Sequence, residues 1–199
     1  MRKFATLDHQ FTGKWITTKY FLSLRPQNVF HRQLDTSFSV FNTITNRHNL
    51  FRKTFEIKSI PAKATLYFTA DDYAKIYING NLVGQGPMPG YTFHYFYHSI
   101  DITDFLNEGR NIIAIHAYYQ GMINRVWVSG DNRHGIICDI VDENDNILFC
   151  TDESTLCHRH TGYSDAGKCG YGTQFLEAYD AGATEVAATL RSPEKRHKL

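Results

Sequence analysis

No stretch of this 199-residue chain approaches the roughly 20 apolar residues that a helix needs to cross a bilayer. The N-terminus, MRKFATLDHQF, carries two early cations but no apolar run of signal-peptide length. A cytoplasmic chain without membrane contact is therefore the expectation. An excess of one charge is missing too, with 21 Lys and Arg against 20 Asp and Glu. Such balance gives no broad field to draw nucleic acid or an anionic membrane, so a neutral partner fits better. Cysteine is scarce, and the four residues at 138, 150, 157 and 169 are expected to be reduced thiols in that compartment. Cys157, His158, His160 and Cys169 lie near one another but lack the paired C-x-x-C spacing of a zinc site, and they read as loop residues. Also absent are βαβ alternation, internal repeats and heptads.

What is present is period-two alternation. Aromatic residues make up 14% of the chain, a composition that favours strands and supplies stacking surfaces. After residues 1–49, read as an extension with short strands, LFRKTFEI and KATLYFTA alternate, the latter placing Ala64, Leu66, Phe68 and Ala70 on one face. YAKIYI does the same with Ala74, Ile76 and Ile78. Asn79-Gly80 then predicts a tight hairpin, because a type I′ turn needs positive φ at both central residues. GPMPGY, with two prolines, cannot hold a ladder and is expected to be an exposed loop. TFHYFYHSIDI resumes the strand pattern, DITDFLNEGRN reads as one helical turn closed by Gly109, and NIIAIHAYY reads as a strand buried on both faces. HGIICDIV and ILFCTD form a second hairpin. At least seven short strands with close turn signals predict an all-β fold, an antiparallel β-sandwich, over residues 50–181. Residues 182–199 read as an irregular tail.

Three motifs carry a family likeness. ADDYAKIYINGNLVGQGP, GYTFHYFYHSIDITDFLNEGRNIIAIHAYYQGMINRVWVSGD and GYGTQFLEAYDA together resemble the N-terminal β-sandwich of bacterial α-L-rhamnosidases and related glycoside hydrolases. The resemblance implies a galactose-binding-like jelly roll placed ahead of an (α/α)6 barrel whose carboxylates invert the anomeric centre. It implies a non-catalytic module that supports or docks that absent barrel, with rhamnose-containing or similar carbohydrate as a further contact. The tail after Ala181 departs from the family pattern, which raises the expectation of a truncated chain.

The residues themselves give a compatible but separate reading. Inverting hydrolysis needs two carboxylates about 6.5–9.5 Å apart. Asp71 and Asp72 are adjacent, so on a strand they point to opposite faces, and Asp101 and Asp104 flank the helical turn, where capping is the expected task. Sugar recognition joins an aromatic face to amides, carboxylates or guanidinium groups that satisfy vicinal hydroxyls. Gln120, Asn124, Arg125, Trp127 and Asp131 offer that set, and Asp71 and Asp72 could join it or hold calcium, the one ion considered beside an expectation of no cofactor. The competing reading makes Arg125 an ion-pair partner, Trp127 a core residue and the cluster a docking surface. Tyr91, Phe93, Tyr95 and Tyr97 share one face, with His94, Phe96 and His98 on the other, and such an aromatic strand is expected to meet the catalytic domain or a second copy. His94 and His98 would lie roughly 13 Å apart, too far to share a metal. The alternative function is a stand-alone, lectin-like carbohydrate-binding protein.

Overall fold

A computed structural model describes residues 9–22, 44–90, 95–122, 129, 134–183 and 194–195. In chain order the elements are β1 (Ile16–Thr17), a short helix α1 (Lys19–Leu22), β2 (Arg47–Ile57), β3 (Ala64–Asp71), β4 (Tyr73–Ile78), β5 (Asn81–Gly86), β6 (His98–Asp101), β7 (Gly109–Tyr119), β8 (Gly135–Asp142), β9 (Ile147–Cys150), β10 (Leu156–Arg159), β11 (Tyr163–Lys168), β12 (Phe175–Tyr179) and β13 (Glu194–Lys195). One sheet runs β13-β1-β8-β3-β6 with β9 also on β8, a second runs β10-β2-β7-β4-β5, and β11-β12 forms a separate hairpin. Every pairing is antiparallel. Up to β10 the chain passes from one sheet to the other at each connection except the β4-β5 and β8-β9 hairpins, and the architecture is an antiparallel β-sandwich of jelly-roll type. Strands β1 and β13 bring residues outside 50–181 into the first sheet. No helix among the described residues is long and apolar enough to cross a membrane.

The core follows the alternation. Ala64, Leu66, Phe68 and Ala70 of β3 are at most 2% exposed, and Ala74, Ile76 and Ile78 of β4 are fully buried. They join Ile113, Ile115, Ala117, Ile136 and Ile140 in one cluster between the sheets. The Asn79-Gly80 turn takes φ values of 50° and 88°, as the hairpin requires. Asn79 also ties the turn to the molecule: its amide nitrogen donates to the Phe105 carbonyl and Asn111 Oδ1, and its oxygen accepts from Ile112 N–H. Asp101, one residue before the N-cap Ile102, accepts from the N–H and hydroxyl of Thr103, the first residue of the helical turn.

Three expectations need correction. β7 alternates between buried and half-buried positions, so only one of its faces lies in the core. The proline loop starts covered, with Gly86 and Pro87 buried, and becomes exposed at Met88. Among its described residues, the aromatic segment is strand from His98 and not at residues 95–97. At Phe96 the Thr69 hydroxyl donates to the main-chain carbonyl in place of a ladder bond. Tyr95 and Tyr97 meet the chain's own N-terminal segment, Trp15 lying against Tyr95 and Phe11 edge-on to Tyr97. Tyr91, Phe93 and His94 lie outside the described residues.

Candidate functional site

Strand alternation also fixes what the second sheet turns away from the core. His48 pairs with Tyr118, which pairs with Tyr73, and in the next row Leu50 pairs with His116, which pairs with Lys75. Directly opposed residues on one face are close enough for their side chains to touch. The outer face in these rows is therefore a patch of imidazoles, phenols, one aliphatic side chain and one ammonium.

The β11-β12 hairpin covers this patch. Tyr163 stacks on His48 with ring centroids 3.8 Å apart and planes 10° from parallel. Tyr179, opposite Tyr163 in the hairpin, lies 4.9 Å from it, and His160 meets both tyrosines edge-on. Gln120 at the end of β7 donates to the Thr173 carbonyl in the loop between the two strands. Between sheet and hairpin is a cleft of about 300 Å³, lined by aromatic rings including Tyr73, Tyr118 and Phe175 and by the polar groups of Lys75, Gln120, Gln174 and Glu177. That volume is at the small end of ligand pockets.

His48 and His116 form the floor. Nδ1 of His48 and Nε2 of His116 are 2.9 Å apart. Burial, then the neighbouring His116 and His160, pushes His48 down to about 3, and burial, then His160 and Lys75, pushes His116 down to about 4. Both rings are therefore neutral at pH 7. Burial, with Asp72 and Glu177 nearby, raises the Tyr118 phenol above its ordinary value, so it too stays uncharged. Lys75 and Glu177 contribute one charge of each sign. The cleft can offer hydrogen bonds of both kinds without a net charge.

The residues singled out from sequence divide around this cleft. Gln120 lines it. Asp71 and Asp72 are 2% exposed, lie behind it and face different partners. Asp71 accepts from the Tyr95 hydroxyl at 3.0 Å. Asp72 Oδ2 accepts from the Gln120 N–H at 2.8 Å and the Ser129 hydroxyl at 2.6 Å. Asn124, Arg125, Trp127 and Asp131 lie outside the described residues. Cys157 faces the core, whereas His158, next along β10, does not. Among the described residues no group of three or more His, Cys, Asp or Glu side chains converges as a metal site.

Sequence reasoning missed His48, Lys75, His116, Tyr163 and Glu177. One signal was available: YAKIYI places Tyr73, Lys75 and Tyr77 on the face opposite its core residues, an aromatic and cationic surface. Nothing local announced the hairpin that covers it.

No family model and no curated protein matches the chain. Solved structures do. A rhamnosidase of glycoside hydrolase family 78 from Bacillus sp. GL1 superposes with a TM-score of 0.68 at 26% identity, over 88% of this chain and 16% of that one. An α-L-rhamnosidase from Aspergillus terreus gives 0.61 at 21% identity, over 79% of this chain and 20% of that one. One from Dictyoglumus thermophilum gives 0.57 at 18%, over 92% and 20%. The resemblance to the N-terminal sandwich of α-L-rhamnosidases, first carried by motifs, thus holds for the fold. The chain spans a fifth or less of the length of these enzymes.

Proposed function

We propose that this chain is a non-catalytic β-sandwich module of an α-L-rhamnosidase-like glycoside hydrolase, which supports or docks an (α/α)6 catalytic domain and contacts carbohydrate. The observation that carries the proposal is the likeness to the Bacillus rhamnosidase, which takes in 88% of this chain but only 16% of that enzyme. Most of the enzyme's length has no counterpart here. The carboxylates agree with this reading. Glycoside hydrolysis uses two of them across the scissile bond, whereas Glu177 is the one acidic residue among the described residues lining the cleft. Docking would use aromatic surface that the chain leaves bare, such as Phe96, which is 42% exposed.

The test is complementation. The purified chain alone should release no nitrophenol from an aryl α-L-rhamnoside. Added to an α-L-rhamnosidase lacking its matching sandwich, it should restore activity and thermal stability. Hydrolysis by the chain alone, abolished by Glu177→Gln, would sink the proposal. A second reading, a stand-alone carbohydrate-binding protein, is favoured by one observation: aromatic rings and hydrogen-bonding side chains line the same cleft. Failure to complement, together with saturable sugar binding, would favour it.

A further inference from the structure

The paired histidines on the floor of the cleft carry an inference about what the cleft holds. Each neutral imidazole has one N–H and one lone-pair nitrogen. The bond between His48 Nδ1 and His116 Nε2 uses one donor and one acceptor. Whichever ring donates, the two remaining nitrogens are then one N–H and one lone pair. Neither has a hydrogen-bond partner among the described residues. This result does not depend on the tautomer chosen. The pair therefore keeps one unused donor and one unused acceptor, one on each ring at opposite ends of the pair, which suits hydroxyl groups, each of which both gives and takes a hydrogen bond.

The surroundings narrow the ligand further. Lys75 is half-buried in the cleft, and neither it nor Glu177 has an ion-pair partner among the described residues. One ammonium and one carboxylate add polar contacts without selecting an ion of either sign. The aromatic lining supplies apolar surface for the C–H face of a ring, and about 300 Å³ suits one ring better than a chain of them. We propose that the cleft beneath the β11-β12 hairpin is a binding site for a single neutral, hydroxyl-bearing sugar ring, with the His48–His116 pair reading its hydroxyls. The sugar class rests on the reading above that the module serves a glycoside hydrolase, whereas the location and the neutral, hydroxyl-bearing character come from the cleft.

The experiment is NMR of the whole chain with its histidine imidazoles labelled, titrated with L-rhamnose, D-galactose and, as a zwitterionic control, glycine. A sugar should shift the His48 and His116 signals saturably, and Lys75→Met and His116→Phe should each weaken binding at least about tenfold, the strength of one lost contact. A dispersed spectrum for either variant suffices to show that the fold survives. The site is refuted if sugar binds both variants as well as the parent chain, if the shifts leave both histidines unmoved, or if glycine alone saturates. Complementation without sugar binding would remove this site and leave the module role standing. Sugar binding at these histidines without complementation would do the reverse.

Discussion

At Asp72 one side chain organises the exit from β7. Its carboxylate receives the Gln120 N–H and the Ser129 hydroxyl, partners 48 and 57 residues away in sequence, and it is 2% exposed. A buried donor left unsatisfied costs about 1–3 kcal/mol, more when its partner was charged. Asp72→Ala should therefore lower stability to urea by about 2–4 kcal/mol, and Asp72→Asn, which keeps an acceptor oxygen, by clearly less. Equal, small losses in both variants would show that the network does not matter. The sequence could not rank this role above sugar contact. A carboxylate after a strand reads the same whether it faces solvent or a turn dozens of residues downstream, and the long-range partner decides which.

Among the elements, the β11-β12 hairpin stands apart. It pairs with neither sheet, and an isolated two-stranded hairpin is marginal in water. Its attachments are the stack of Tyr163 on His48, extended through Tyr179 and His160, and the Gln120 hydrogen bond to the Thr173 carbonyl. Tyr163→Ala should accordingly speed amide exchange across residues 163–179 while β3 and β8 keep their protection. Equal acceleration in all three would mean that the hairpin and the sandwich open together. The strands of the sandwich were legible because burying one face forces alternation, and the β4-β5 and β8-β9 hairpins because their turns have few sequence solutions. YSDAGK and FLEAY were not legible as strands. Their side chains are mostly exposed and show no core face. The cleft was hidden for the same reason, since it forms where an unpatterned hairpin meets the outer face of a patterned sheet.

For the whole molecule the consequence of these histidines is acid sensitivity. Two sheets share one apolar cluster, so a term that acts on the second sheet acts on global stability. In the unfolded chain His48 and His116 take up protons near 6.5, whereas in the fold they do so only near 3 and 4. Between those limits the unfolded state binds more protons, so stability is retained above pH 6.5 and falls as the pH drops below it, by up to about 1.4 kcal/mol per pH unit for each ring. The influences on His48 act in one direction: burial first, then His116, His160, His134 and Lys75, all disfavour its charged form. Asp101 and Asp142, held below the usual carboxylate range by hydrogen bonds from Thr103 and Asn146, lose their contributions only below about pH 4. The interval from pH 6.5 to 4.5 therefore isolates the imidazoles. Urea unfolding across it should show a steady loss of stability, and His116→Leu should make the slope shallower even where it lowers stability at pH 7. A variant slope equal to that of the parent chain would mean that the buried pair does not govern the acid response.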